Sequence, residues 1–205
     1  MILEGIVTTL GPDGDVNIAP MGPHVSQGRD GGTWDRFLLR PFSTSRTWRN
    51  LHAHGEGVLH VTDDVLLLAR AAIGPVDPPP PLLAAQAVRG WVLAGACRYY
   101  EFRVVGVDDR EPRLRVEAEV VHAGRFRDFF GFNRARHAVV EAAILATRVT
   151  FLPPEEIAAE LRRLRPLVDK TGGDAERQAF DLLSDHIDHA RRSGAVRAVS
   201  GEEGA

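Results

Sequence analysis

The chain has 205 residues, 44% of them hydrophobic and 26% charged, with a formal net charge of −3, so nucleic acid and anionic membrane are not expected as partners. That length suffices for one large domain, or a domain with an appendage, around a sizeable core. Its one cysteine, Cys97, excludes an internal disulfide and paired-cysteine metal sites; no run of about twenty apolar residues exists, and Glu4 interrupts the stretch where a signal peptide would be apolar, so a cytoplasmic location is expected.

Residues 2–10 are rich in β-branched and aliphatic side chains, and the turn Gly11-Pro12-Asp13-Gly14 precedes alternating Val16, Asn17, Ile18 and Ala19. This predicts a hairpin. Its second strand runs into Pro20-Met21-Gly22-Pro23, where regular pairing is expected to end and leave main-chain N–H and C=O groups able to read a planar ligand's edge. A strand end entering the Gly-rich run 25–33 fits the same residues.

Residues 37–40 read as strand, and Pro41 forces the chain out of the sheet. Ser43, Thr44 and Ser45 offer N-cap oxygens for a helix to about His54, which Gly55 can close. Arg40, the hydroxyls of Ser43, Thr44, Ser45 and Thr47, and the free N–H groups of the first turn are therefore expected to converge. Positive charge, hydroxyl donors and a helix dipole end make an anion site. An ordinary capped helix beside a surface arginine is the competing reading.

Residues 57–62 alternate as a strand, and Asp63 or Asp64 caps a short helix over 64–72. The proline-rich run 75–81 reads as a rigid connector, with a little helix expected near 82–87. Residues 94–107 and 113–123 form the clearest long hairpin, and Arg113, Arg115, Glu117 and Glu119 make one of its sides wet. Cys97 on that strand reads as a small buried hydrophobe. From Asn133 the pattern turns helical: Asn133 caps 134–147, Pro153 or Pro154 starts a helix to about Lys170, and Gly172-Gly173 separates it from a third helix over 174–192. Ile157, Leu161, Leu164 and Val168, then Phe180, Leu183 and Ile187, recur at helical spacing, as expected of an amphipathic pair packed on the barrel or on a second subunit. The expected fold is β-rich α+β, a small barrel with a helical C-terminal third; residues 1–132 form the barrel domain, 133–194 the helical region, and 195–205 a flexible tail.

Arg134, His137, Glu141 and Arg148 fall along one stripe of the helix that Asn133 starts. A salt-bridged interface stripe fits them, and so does a role for Arg134 at a phosphate or His137 at a substrate. His52 and His54 face different directions on one helix, His60 lies on a strand, and no metal is expected. Trp34, Trp48 and Trp91 could stack on a flat ligand or simply pack.

Asn17-Ile18-Ala19-Pro20-Met21-Gly22, Arg40-Pro41-Phe42-Ser43-Thr44-Ser45-Arg46-Thr47 and Phe132-Asn133-Arg134-Ala135-Arg136-His137 together resemble the DUF447 proteins, a branch of the FMN-binding split-barrel superfamily that is similar to flavin reductases and pyridoxamine-phosphate-oxidase-like proteins. The resemblance implies an FMN-binding split β-barrel and a homodimer with the flavin near the subunit interface. It carries the flavin-ring edge to Asn17, Ala19, Pro20 and Met21, and the phosphate to Arg40, Ser43, Thr44, Ser45 and Thr47, with Arg134 as a further candidate. It names no catalytic residue and no substrate. Flavin chemistry is run by the cofactor, which agrees with the lack of a nucleophile elbow, Walker motif or paired carboxylates. The expected function is a flavin-dependent oxidoreductase or flavin reductase using a reduced nicotinamide. The alternatives are a non-catalytic FMN carrier or store, and a binder of another phosphorylated heterocycle or a pterin.

Overall fold

The computed structural model describes residues 1–25 and 34–193, so the Gly-rich run 25–33 after its first residue and the tail expected over 195–205 lie outside the described residues. By its contacts the chain divides into a sheet unit, Met1–Asp64 with Pro75–Phe130, and a helical unit, Val65–Gly74 with the chain from Gly131 onward.

The sheet unit is built on β1 (Gly5–Leu10), β2 (Val16–Met21), β3 (His24–Val25), β4 (Arg36–Leu39), β5 (Glu56–Val61), β8 (Arg98–Asp108) and β9 (Arg115–Arg125). They form one antiparallel sheet in the order β2-β1-β5-β8-β9-β4-β3. The strand at its far end, β3, is met by the N-terminus: Ile2 bridges His24, the Leu3 N–H donates to Pro23 O at 3.1 Å, and the Val25 N–H donates to Met1 O at 2.9 Å. The segment leading into β1 thus covers the edge beyond β3 and leaves β2 as an edge strand. Register shifts between Glu101 and Phe102 and between Val104 and Gly106 bend the long β8–β9 hairpin, as bulges do.

Register also divides the buried residues between two faces. Val7, Leu59 and Tyr100 lie opposite one another, and with Phe37, Phe102, Leu114 and Val116 they form the main core. Helix α1 (Arg46–His54) inserts Leu51 there, capped by Ser45 at one end and closed at the other by Gly55 at φ +65°, a conformation that favours glycine. Thr8, Val58 and Glu101 make the next row across the same strands, so they project from the opposite face.

That opposite face is covered by a small hairpin, β6 (Leu82–Ala84) with β7 (Trp91–Leu93). Here the helix expected near 82–87 is corrected. Leu82 pairs with Leu93 and Ala84 with Trp91, and the hairpin is hung from three distant strands. Thr8 Oγ1 donates to Trp91 O at 2.5 Å, and His60 Nε2 accepts the Leu93 N–H at 3.0 Å. Glu101, fully buried, accepts the N–H groups of Gln86, Ala87 and Val88 at 2.8, 2.5 and 3.2 Å. Val88 and Val92 pack on Val58 and Tyr99 beneath it.

The helical unit holds α2 (Val65–Ile73), α3 (Arg134–Ala146), α4 (Pro154–Thr171) and α5 (Asp174–Arg192). Its apolar stripes are those expected: Ile157, Val168, Phe180, Leu183 and Ile187 are buried. They pack within the unit, and α2, read from sequence as an element of the first 132 residues, packs against α3 and α5. Asn133 caps α3 by accepting the Arg136 N–H at 3.0 Å, and its amide donates to Thr171 O at 3.1 Å. Glu176 accepts from Arg136 Nε at 2.9 Å and from the Gly173 N–H at 2.9 Å, tying the starts of α3 and α5 together. Burial opposes ionisation of Glu176, but Arg136 and the Gly173 N–H outweigh it and hold the carboxyl below its ordinary range. Among the described residues no helix is long and apolar enough to cross a membrane.

Candidate anion and ring-edge site

Asn17 stands on β2 and Thr47 in the first turn of α1, and the structure joins them. Asn17 Nδ2 donates to Thr47 Oγ1 at 3.1 Å and reaches Thr9 Oγ1 on β1 at 3.4 Å. Asn50 Nδ2 donates to the same Thr9 hydroxyl at 3.0 Å. Thr9, Thr47 and Asn50 are buried and Asn17 is half-buried, so this network is largely shielded from water and fixes the Asn17 amide. None of the four side chains titrates, so these hydrogen bonds do not depend on pH. Thr9 and Asn50 were not singled out in the sequence. Asn50 lies three residues after Thr47, on the same face of α1, and that spacing was the available signal.

Ala19, Pro20 and Met21 follow Asn17 along β2. Pairing does not end at Pro20, as its type suggested; Pro20 lies opposite Ile6 and Met21 opposite Gly5. A proline is tolerated there because β2 is an edge strand, where a missing N–H can face outward without breaking the ladder. The unpaired main-chain groups expected from a strand end at Pro20 are therefore not produced by an end to pairing; what β2 offers is its outer side as an edge strand.

Arg40 follows β4, and Pro41 turns the chain away toward α1. Its Nη2 pairs with Glu111 at 2.8 Å and donates to Arg113 O at 3.2 Å, while its Nε is buried with no hydrogen-bond partner among the described residues. The stretch after Arg40 is stitched to the turn of the β8–β9 hairpin. Phe42 bridges Arg113, whose guanidinium lies 4.5 Å from the Phe42 ring centroid, and the Ser43 N–H donates to Pro112 O at 3.1 Å.

Ser43 and Thr44 are exposed in the turn between Arg40 and α1. Ser45 Oγ accepts the Trp48 N–H at 3.1 Å, which spends its cap oxygen but leaves its proton available. The N–H groups of Arg46 and Thr47 have no acceptor within the helix. Arg46 itself is paired with Asp15 from the β1–β2 turn. The residues expected to converge thus take different partners: Thr47 joins Asn17 under α1 and Arg40 joins Glu111 at the hairpin turn, with exposed Ser43 and Thr44 between them in sequence. Arg134 is the first residue of α3 and belongs to the helical unit, where it is exposed, as are His137, Glu141 and Arg148.

His60 is a core group. Its Nδ1 donates to Ile6 O at 3.1 Å while Nε2 accepts from Leu93, which fixes the neutral tautomer, and burial lowers its pKa from 6.5 to about 4. No cluster of three or more potential metal ligands occurs among the described residues. Cys97 is buried and its thiol is pushed up, first by burial and then by Asp63, as expected of an inert position. Trp34 packs on Tyr100 at 5.0 Å between centroids and Trp48 on His52 at 5.2 Å.

These residues fit a phosphorylated planar ligand on two observations. Arg40 carries a buried, unpartnered donor on a guanidinium already turned to an anion. The Asn17 amide, held by two hydroxyls, lies on an edge strand whose outer main-chain groups have no strand partner among the described residues.

The model of the DUF447 N-terminal domain, described as a protein of unknown function, matches residues 3–127, and that of the DUF447 C-terminal part matches residues 133–185. Among solved structures, an FMN-bound DUF447 protein from Methanosarcina mazei superposes with a TM-score of 0.77 at 25% identity, covering 90% of this chain and 94% of that one. The styrene monooxygenase flavin reductase of Pseudomonas putida S12 superposes with a TM-score of 0.50 at 17% identity, covering 60% of this chain and 79% of its own. The shared fold is a flavin-reductase-like split barrel, followed in this chain by C-terminal helices. No curated protein matches the sequence.

Proposed function

Since this chain belongs to the DUF447 family, matched in both its N-terminal and C-terminal parts, we propose that it binds FMN and acts as a flavin-dependent oxidoreductase or flavin reductase drawing on a reduced nicotinamide. The observation that carries the reading is its similarity, over 90% of its length, to an FMN-bound structure. Bound FMN supplies hydride and electron transfer at its own ring.

The chain's part is to bind and orient. Arg40, with its planar donor fork, takes the phosphate, assisted by the exposed hydroxyls of Ser43 and Thr44 and the first-turn N–H groups of α1. Asn17 and the outer edge of β2 at Ala19, Pro20 and Met21 take the ring edge. Thr9, Thr47 and Asn50 keep the Asn17 amide in one orientation. The oligomeric form is a homodimer; exposed Phe126, Phe129 and Phe130 of the sheet unit are apolar side chains of the kind a second copy covers, and light scattering on the purified chain checks it.

Adding NADH or NADPH anaerobically to the FMN-loaded protein tests the activity. Rapid bleaching of the flavin absorbance, recovered on admitting air, is the expected result. FMN that stays bound and oxidised under both nucleotides removes the reductase reading and leaves an FMN carrier.

A further inference from the structure

We propose that Glu111 is an internal competitor for the phosphate site, an anion that holds Arg40 until a phosphorylated ligand displaces it. This rests on the assignment of Arg40 to phosphate. Glu111 lies in the β8–β9 turn, 71 residues from Arg40 in sequence, and its Oε2 is 2.8 Å from Arg40 Nη2. Its side chain is 67% exposed against 25% for Arg40, so it reaches in from solvent to a guanidinium fixed by the sheet. A carboxylate and a phosphate present the same chemistry to that fork, so one must leave for the other to bind fully.

A second arrangement awaits the displaced carboxylate. Glu111 also lines a cleft of about 320 Å³ with Asp108, Arg110 and Arg115. Arg110 is engaged by Asp108, its Nε and Nη2 donating at 2.8 and 2.6 Å, whereas Arg115 makes no side-chain ion pair with a described residue. Arg115 is therefore the cation that can receive Glu111 when Arg40 turns to phosphate. An exposed ion pair is weak enough to be exchanged in this way, and its modest strength sets the size of the effect.

The test is a titration of FMN, and of riboflavin as the ligand without phosphate, into the wild-type chain, Glu111→Gln, Arg40→Ala and the double variant at low salt. Glu111→Gln is expected to bind FMN about two- to fivefold tighter, with riboflavin unchanged, and to give no gain in the Arg40→Ala background. Arg115→Gln is expected to weaken FMN binding up to about twofold when Glu111 is present and not in Glu111→Gln. The competitor role is overturned if Glu111→Gln leaves FMN affinity unchanged or lower while Arg40→Ala still weakens it; the phosphate assignment then stands. An equal gain with and without Arg40 also overturns it, since that is unspecific repulsion between two anions. If Arg40→Ala leaves FMN affinity unaltered, the phosphate assignment and the competitor role fall together.

Discussion

Asn17 Nδ2 donates to Thr47 Oγ1 at 3.1 Å, joining an edge strand to the first turn of a helix 30 residues away. The bond sits beside two others that converge on Thr9 Oγ1, so the orientation of the Asn17 amide is set by hydroxyls on two elements. Thr47→Val keeps the volume and removes the nearer acceptor, leaving the Asn17 amide with only its longer contact to Thr9. The expected cost is about 1–3 kcal/mol in urea unfolding, with Thr47→Ser close to wild type. A valine variant as stable as the serine variant would show that the network orients nothing.

Arg40 is expected to discriminate between two ligands that share a ring. Arg40→Ala should weaken FMN binding by about 1.5–3 kcal/mol, roughly ten- to hundredfold, and leave riboflavin alone. Arg40→Lys should recover only part, because a point charge does not reproduce the planar fork. If Arg40 merely braces the hairpin turn through Glu111 and Arg113, both variants melt earlier while calorimetry on the folded fraction gives an unchanged FMN affinity.

His60 makes stability depend on acid. Burial holds its folded-state pKa near 4, while the Ile6 carbonyl opposes this in part, and the unfolded chain titrates near 6.5. Below 6.5 the unfolded state takes up a proton that the folded state refuses. The contribution is therefore complete above pH 6.5 and is lost as pH falls toward 4, by about 3 kcal/mol at most. Denaturant melts at pH 7.5, 6 and 5 should show falling stability, with hydrogen exchange rising first at residues 91–93, where the Leu93 N–H loses its acceptor. A His60→Gln variant with the same pH slope would assign the loss to another group.

Glu101 is expected to govern the hairpin that covers the outer sheet face. Glu101→Ala leaves the N–H groups of Gln86, Ala87 and Val88 without their carboxylate and should cost at least about 2 kcal/mol. Amide exchange at those three residues is the direct readout. Protection there equal to wild type would mean that β6 and β7 hold themselves in place.

Much of this was legible because local chemistry decided it. Pro41 ends β4, Ser45 caps α1, Gly55 closes it and Asn133 caps α3, each through a main-chain constraint acting within a few residues. The β8–β9 hairpin announced itself by alternation, and its wet residues Arg113, Arg115 and Glu117 are exposed. The β6–β7 hairpin did not, because three residues of Leu-Leu-Ala carry no strand preference. What makes them strand is Trp91–Leu93 opposite and the clamps from Thr8, His60 and Glu101, of which Thr8 and His60 are distant in sequence. Pro20 misled for a related reason, since its tolerance depends on β2 lying at an edge, a property of the whole sheet. At the candidate site the residue types were visible but their partners were not. Nothing near Arg40 in sequence points to Glu111, and nothing near Asn17 points to Thr47.

Recognition of the FMN phosphate by Arg40 and its neighbours is decided by calorimetric titration of the cofactor-free wild-type chain with FMN and with riboflavin. FMN binding at least about tenfold tighter than riboflavin, with the difference shrinking as salt rises, is the expected result. Equal affinity for the two ligands, or no binding of FMN to a chain that melts cooperatively, would contradict it.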